Sequence, residues 1–233
     1  MKNILLYGLQ RSGVNYLEAL LLKNFRVSLL NDNTKGNHPL QKHFRLYEDK
    51  EFIPASKYHN SLQFNGFDEY LHAMQLAEKV DGILVVSKDP YSWLLSYEKW
   101  VQKCKYPEVV HHYIQEYNAF YKKWIEFAQE DNRIKFVDYT TLLGTTKEEL
   151  LKVKNSLNLK WRWIRLIFGS VNEIADVPQS TQFNAQNVDY YLNQEYLKEY
   201  SSSTLRKVNS LLDKELVAEL NYSIIDVNTE SNS

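Results

Sequence analysis

This 233-residue chain has very little cysteine and a net charge close to zero. Its single cysteine, Cys104, excludes an internal disulfide and is typical of a reducing compartment. The formal net charge is −1, so no overall basic field indicates nucleic-acid binding. No apolar stretch approaches the roughly 20 residues that span a bilayer. The opening apolar run, Ile4–Tyr7, is too short for a signal peptide, and we expect a cytoplasmic protein.

Glycine is also scarce, with seven residues in the chain, and two of the seven bracket one loop. The apolar run that ends at Tyr7 leads into Gly8, and a helical pattern from Val14 to Asn24 begins directly after Gly13. In such a strand–loop–helix, backbone N–H groups converge at the helix N-terminus and favour an anion. A glycine pair at a strand–helix junction also occurs for backbone reasons alone, but the strand and helix on either side favour a phosphate site.

The spacing of Gly8 and Gly13 matches a Walker A loop, but the residues that hold a metal triphosphate are missing. Val14 stands where the phosphate-binding lysine belongs, and Asn15 replaces the Mg²⁺-binding Ser or Thr. Arg11, within the loop, supplies a planar and permanently charged group that suits phosphate or sulfate oxygens. The loop is therefore typical of phosphate binding without metal-dependent hydrolysis.

A second candidate phosphate contact follows the apolar run Gly82–Ser87, which is typical of a buried parallel strand. Lys88 comes directly after this strand, and Asp89 and Pro90 suit the N-cap and first turn of the next helix. Ser96 lies about two turns into that helix. Because ligands bind outside the carboxyl ends of parallel strands, we expect Lys88 to share a crevice with the glycine loop.

Strands and helices alternate along the chain, which predicts a three-layer α/β fold with a mostly parallel sheet flanked by helices. We expect strands at Lys2–Tyr7, Arg26–Leu30, Gly82–Ser87 and Ile134–Asp138. We expect helices at Val14–Asn24, at Phe67–Lys79, after Pro90, and at Glu108–Gln129, Lys147–Leu157 and Ser203–Leu220. The length predicts one domain over residues 1–225 with a polar tail at 226–233. The polar segment Asn31–Asn65 has no regular pattern, which is typical of a functional or mobile loop.

Together the two motifs resemble those of the sulfotransferases that use 3′-phosphoadenosine-5′-phosphosulfate (PAPS), which have a P-loop NTPase-like fold. The run from Arg11 to Asn15 is similar to the family's [KR]-[ST]-G-T-[TN] loop, with Val14 in place of Thr. Lys88-Asp89-Pro90 and Ser96 keep the spacing of the family's second motif, with Lys in place of Arg. The resemblance implies a PAPS-dependent sulfotransferase that moves a sulfuryl group to a hydroxyl or amine of a small-molecule or carbohydrate acceptor.

The resemblance also implies a role for each motif residue. Arg11 would stabilise the negative charge that develops on the leaving 5′-phosphate. The backbone of four further residues would bind the same phosphate: Ser12, Gly13, Val14 and Asn15. Lys88 and Ser96 would hold the 3′-phosphate of PAPS. PAPS is then a co-substrate, and we expect no metal.

Two histidines in the segment after the second strand are candidates for the general base. His43 is the first, because Lys42-His43 resembles a Lys-His pair of bacterial relatives, and His38 is the second. An unperturbed imidazole titrates at about pH 6.5, which suits a base at neutral pH. The alternatives are a solvated loop histidine with no chemical role, or a carboxylate base at Glu18.

Two other functions remain open at this point. One is a P-loop kinase or NTPase, in which Asp89 would act as a Walker B acid. The other is a non-catalytic nucleotide-binding protein with a degenerate cleft, which the departures at Val14 and Lys88 allow. As partners we expect an acceptor molecule, no nucleic acid and no membrane span, with a homodimer as one open oligomeric state.

Overall fold

A computed structural model describes residues 1–31, 39–45, 64, 66–73, 75, 79–106, 109–168, 171 and 185–227. Its strands are β1 at Lys2–Tyr7, β2 at Val27–Leu29, β3 at Gly82–Ser87 and β4 at Ile134–Asp138. They form one sheet in the order β2-β1-β3-β4, and every neighbouring pair is parallel. The predicted α/β fold is confirmed, and the bounds of β1, β3 and β4 are those expected from the sequence.

Helices connect the strands and cover both faces of the sheet. In chain order they are α1 at Val14–Asn24, α2 at Phe67–Ala73, α3 at Pro90–Cys104, α4 at Tyr113–Glu130, α5 at Tyr139–Gly144, α6 at Thr146–Ser156, α7 at Trp163–Phe168, α8 at Ala185–Leu192, a 3₁₀ helix at Glu195–Glu199, α9 at Ser202–Leu211 and α10 at Lys214–Glu219. The Asp89 carboxylate accepts a hydrogen bond from the Ser92 N–H at 2.9 Å and begins α3, as predicted.

Side chains of the sheet alternate between two apolar layers, because successive residues of a strand point to opposite faces. Ile4 and Leu6 of β1 belong to the layer of α1, α5 and α6, whereas Leu5 and Tyr7 belong to the layer of α3, α4, α9 and α10. Every residue of β3 is buried, which explains the unbroken apolar sequence of this central strand. The sheet is therefore the middle of three layers.

Two helix bounds differ from the predicted ones because a side chain caps the helix at another point. The helix predicted at Glu108–Gln129 begins only at Tyr113, since the His112 side chain caps it there. The helix predicted at Ser203–Leu220 is two helices, α9 and α10, since the Asp213 carboxylate accepts from the first N–H groups of α10. Helical periodicity continues across such a break, so the apolar pattern does not reveal it.

Several predictions fall outside the described residues. The helix expected at Phe67–Lys79 is described as α2 up to residue 73, and residues 74 and 76–78 are not described. Most of the segment Asn31–Asn65 and the end of the tail, residues 228–233, are likewise not described. The single domain over residues 1–225 stays a prediction. In the described part of the chain, no helix is long and apolar enough to cross a membrane.

Candidate active site

The glycine loop, Gly8 to Gly13, and Lys88 meet at the carboxyl edge of the sheet. β1 and β3 are parallel neighbours, so the residues that follow them emerge at the same edge. β2 and β3 lie on opposite sides of β1, so the strand order reverses at β1, and such a switch point leaves a crevice. The Lys88 Nζ lies 3.4 Å from the Arg11 carbonyl oxygen. The two sequence motifs therefore line one crevice.

The first N–H groups of α1 have no hydrogen-bond acceptor among the residues that the structure describes. Gly13 is the N-cap, with a φ of 98°, and no side chain of a described residue caps the helix. The Tyr16 N–H donates to the Gly13 carbonyl at 2.9 Å, whereas the N–H groups of Val14 and Asn15 have no acceptor among the described residues. No acidic residue occupies the first turn. These N–H groups and the helix dipole together favour a bound anion.

Arg11 has a strained backbone conformation in the middle of the glycine loop. Its φ of 70° lies in the left-handed region, which costs a non-glycine residue about 1 kcal/mol. The next N–H, that of Ser12, donates to the Leu9 carbonyl at 3.1 Å and holds the turn. Gly13 cannot be replaced without movement, because a Cβ there would lie 2.1 Å from the Tyr139 ring. Strain of this kind concentrates at functional sites.

Lys88 places a charge in the buried part of the crevice. Its side chain is 1% exposed, and its Nζ donates to the Ser96 Oγ at 3.0 Å. It forms no ion pair with any carboxylate in the part of the chain that the structure describes. Burial lowers the pKa of Lys88, because the charged form loses its hydration. Among the described residues, the ammonium therefore has no carboxylate of the kind that normally accompanies a buried cation.

Tyr191 of α8 is a crevice residue that sequence analysis missed. The Lys88 Nζ lies 4.3 Å from the centre of the Tyr191 ring, and the Tyr191 hydroxyl lies 3.5 Å from the Ser96 Oγ. Burial opposes ionisation of this phenol, but the Lys88 charge outweighs burial, so the pKa of Tyr191 lies below its ordinary value. In the sequence, the run Tyr190-Tyr191-Leu192 resembles the closing helices of bacterial sulfotransferases, and this resemblance is the one signal that points to Tyr191.

The other residues of the loop motif differ in whether their side chains are exposed or buried. Arg11 and Asn15 are exposed, whereas Ser12 and Val14 are buried. The Val14 side chain packs in the apolar layer of α1 with Val86. Val14 can therefore offer the crevice its N–H but no polar side-chain atom, so the hydroxyl that the family's Thr would supply is absent.

His43 lies against the first residue of the glycine loop. Its Nδ1 donates to the Gly8 carbonyl at 2.8 Å, and the Gly8 N–H donates to the Lys42 carbonyl at 3.1 Å. The Lys42 ammonium in turn pairs with the Glu18 carboxylate on α1. This pairing gives Glu18 a structural role. His38, the second candidate base, lies outside the described residues.

A buried ion pair behind the crevice was not predicted. Arg45 is fully buried, and its guanidinium donates to Glu116 at 2.8 Å, to the Gln10 side chain at 2.7 Å and to the Tyr97 hydroxyl at 3.0 Å. His111 contacts the second oxygen of Glu116 at 2.6 Å. Burial opposes ionisation of Glu116, but Arg45 and His111 hold its pKa below the ordinary value. Through Gln10, this network supports the glycine loop.

Aromatic side chains hold the main chain of both motifs from the same side of the sheet. The Trp93 indole N–H donates to the Gln10 carbonyl at 2.9 Å, and the Tyr117 hydroxyl donates to the Lys88 carbonyl at 2.9 Å. Both aromatic residues are fully buried. The crevice is therefore built on rigid elements, which favours a preorganised binding site.

A solved structure shares this architecture, although no protein-family model and no curated protein matches the sequence. Mouse sulfotransferase SULT7A1 in complex with PAP aligns with a TM-score of 0.54 at 12% identity, over 94% of this chain and 87% of that one. The chain has a sulfotransferase-like fold. A sulfotransferase from Alicyclobacillus acidocaldarius aligns with a TM-score of 0.43 at 10% identity, over 96% of this chain and 97% of that one. At 12% identity, the likeness to the mouse structure concerns the fold alone.

The Asp89 carboxylate is held by hydrogen bonds within the sulfotransferase-like fold. Its carboxylate caps α3 through the Ser92 N–H at 2.9 Å and is also hydrogen-bonded by Tyr196. Burial raises the pKa of Asp89. These contacts favour a helix cap over a Walker B acid.

Stability in the sulfotransferase-like fold should depend on the protonation of His43. Burial lowers the pKa of His43 to about 4, against 6.5 for an unperturbed imidazole. The unfolded chain therefore binds a proton first, and stability falls as the pH drops from about 6.5 to about 4, then levels off. The loss at this residue is up to about 3 kcal/mol.

Urea unfolding of the natural protein and of His43→Gln across this pH range measures the effect. Glutamine keeps a donor for the Gly8 carbonyl but does not titrate, so its stability should fall less as the pH drops. Equal pH dependence of the two proteins would show that His43 does not change its protonation on unfolding.

Proposed function

We propose that this protein is a PAPS-dependent sulfotransferase. The observation that carries the proposal is the buried Lys88 ammonium, which has no carboxylate partner among the described residues and lies beside the uncapped N-terminus of α1. A buried cation is stabilised by an anion, and the uncapped helix supplies a second anion position. Two anion positions in one crevice fit a nucleotide that carries phosphates at both its 3′ and 5′ ends.

The two positions would bind the two ends of PAPS. Lys88 and Ser96 would hold the 3′-phosphate, since their Nζ and Oγ atoms are 3.0 Å apart and can both contact one phosphate. The N–H groups of Val14 and Asn15 and the Arg11 side chain would hold the 5′-phosphosulfate. Lysine binds the phosphate as a point charge, without the bidentate geometry of the arginine that the family has at this position.

PAPS, when bound, supplies an activated sulfuryl group. The Arg11 guanidinium and the N-terminal dipole of α1 would stabilise the negative charge that grows on the 5′-phosphate as its bond to sulfur breaks. His43 would remove the proton from the acceptor hydroxyl as the acceptor oxygen bonds to sulfur. Arg11 and α1 supply the positive charge that this transfer needs, so the proposal includes no metal.

The tautomer of His43 suits the role of general base. Because Nδ1 donates to the Gly8 carbonyl, the neutral ring carries its lone pair on Nε2. A pKa of about 4 keeps the ring neutral at physiological pH but makes it a weak base. Negative charge of a donor bound at the glycine loop would raise the pKa of His43 toward the range of an effective base.

We also propose that the acceptor is a small molecule or a carbohydrate and that the enzyme acts in the cytoplasm. Supporting the location, the single cysteine, Cys104, is free and exposed, which is typical of a reducing compartment. The acceptor contacts would come from the segment Asn31–Asn65, which follows β2 in the sequence.

Thermal unfolding with adenosine 3′,5′-bisphosphate, with AMP and with ATP plus Mg²⁺ tests the donor site. We expect stabilisation by the bisphosphate alone, because only this ligand supplies both phosphates that the crevice would bind. A ligand present at about 100 times its Kd stabilises the native protein by about 2.7 kcal/mol. Turnover is then measured as release of the bisphosphate from PAPS in the presence of hydroxyl acceptors.

Three variants test whether the stabilisation by adenosine 3′,5′-bisphosphate depends on residues of the crevice. Arg11→Ala should abolish the stabilisation by the bisphosphate and Ser96→Ala should reduce it, whereas Arg206→Ala, which removes another exposed arginine, should leave it unchanged. Stabilisation by Mg-ATP alone would contradict the proposal and favour a P-loop kinase. A folded protein that responds to none of the three ligands would favour a degenerate cleft.

A further inference from the structure

A second surface lies at the opposite edge of the sheet from the crevice. It is a hollow of about 750 Å³ at the amino ends of β1 and β2. We call it the aromatic-basic face, and it includes Met1, Arg26, Trp161, Arg162, Trp163 and Ile164. The six residues of β1 separate it from the glycine loop by about 20 Å. The aromatic-basic face is therefore not part of the candidate active site.

Trp163 gives this face its apolar character. Of the five tryptophans it is the exposed one, at 70%, and the neighbouring Met1 is 81% exposed. The other four are buried or partly buried: Trp93, Trp100, Trp124 and Trp161. Indole side chains prefer the membrane–water interface, where the ring contacts apolar groups and the N–H remains hydrated.

The charge of the face is basic, although the whole chain has a net charge of −1. Arg26 and Arg162 line the hollow, and no acidic residue of the described part of the chain does. Lys160 beside it is also exposed. Residues 160–168 contain three cationic and six apolar residues and no acidic one. Guanidinium groups match the geometry of phosphate oxygens, so the face suits a phosphate-bearing surface.

Backbone hydrogen bonds of the preceding segment fix the position of Trp163 at the surface. The segment before it pairs with the end of α1: the Arg26 N–H donates to the Lys160 carbonyl at 2.8 Å, and the Arg162 N–H donates to the Asn24 carbonyl at 2.9 Å. The Trp161 ring packs on Phe25 with ring centres 4.9 Å apart. Trp163, the first residue of α7, is therefore presented to solvent by a hydrogen-bonded segment.

We propose that the aromatic-basic face docks onto an anionic lipid bilayer. Cations near an anionic membrane surface and an aromatic side chain at headgroup level are the two contributions that hold peripheral proteins there. A protein partner of ordinary size would engage about 20–30 residues on each side, whereas this hollow is lined by eight. With the face on the membrane, the crevice at the other edge of the sheet opens away from the lipid.

Co-sedimentation of the full chain with vesicles of phosphatidylcholine, with and without phosphatidylglycerol, tests this docking. We expect binding to the anionic vesicles alone, weakened by added salt. Arg26→Gln and Arg162→Gln should each lower the affinity about fivefold, and Trp163→Ala about tenfold. Lys103→Gln and Val110→Ala are matched controls, because these residues are exposed elsewhere, and they should bind as the natural protein does.

Several results would overturn the proposal. The docking would be disproved if the natural protein failed to bind the anionic vesicles, or if the three variants bound as well as the controls. A dimer that Trp163→Ala dissociates in sedimentation velocity, without vesicle binding, would assign the face to a second copy of the chain. The response to adenosine 3′,5′-bisphosphate is measured on the same variants and should not change, so failure of the docking proposal is distinguishable from failure of the proposed function.

Discussion

A Lys88→Met variant is expected to be more stable than the natural protein and to lose its response to adenosine 3′,5′-bisphosphate. The Lys88 ammonium is 1% exposed and has no ion pair with a described carboxylate, so burying its charge opposes folding. Methionine retains an unbranched apolar chain of similar length without the charge. We expect a gain in unfolding free energy of about 1 kcal/mol and a loss of about 100-fold in bisphosphate affinity, equivalent to about 3 kcal/mol.

Urea unfolding and calorimetric titration measure the two effects separately. Lys88→Arg is the matched control, since it keeps the charge and restores the residue that the sulfotransferase motif has at this position. It should bind the bisphosphate at least as well as the natural protein. A Lys88→Met protein that is less stable and still binds the bisphosphate would show that the ammonium serves the fold and not the ligand.

Arg45→Met should have the largest effect on stability, a loss of about 3–5 kcal/mol in urea unfolding. Arg45 and Glu116 are both fully buried and lie 2.8 Å apart. Without the guanidinium, the buried Glu116 carboxylate loses the cation 2.8 Å from it, while its contact with His111 remains. The Gln10 side chain also loses its donor, so we expect weaker binding of the bisphosphate in the fraction that stays folded.

The double variant Arg45→Met/Glu116→Gln tests whether unpaired charge is the cause. Glutamine has nearly the shape of glutamate but needs no counter-ion, so the double variant should recover most of the lost stability. If the double variant were no more stable than Arg45→Met, the loss would come from packing and the Tyr97 hydrogen bond, and not from the unpaired carboxylate.

Local sequence patterns were sufficient for the sheet and for the loop that follows β1. The apolar runs of β1 and β3 are continuous because both strands are buried on both faces. Periodicity did not predict three short helices, α5, α7 and α8. They span only six to eight residues, which is about two turns and too short for a helical period to be recognised.

Contacts between distant parts of the chain were not predictable. Arg45 lies 71 residues from Glu116 in the sequence, and it belongs to a polar segment that resembled a loop. Tyr191 follows Ser96 by 95 residues and carried only a family resemblance. Pairing and burial of such residues depend on which elements pack together, and a local pattern does not contain that information.

The sequence by itself determined the parallel α/β architecture and the two motifs, because strand burial, helix starts and glycine turns depend on neighbouring residues. Only the tertiary structure decided that Lys88 is buried without a described carboxylate partner, that Tyr191 packs over it, and that His43 donates to the loop. The physical reason is that charge, burial and pKa depend on atoms that the fold brings together from distant parts of the chain. The carboxyl edge of the sheet thereby became a candidate anion site, and the amino edge became the aromatic-basic face.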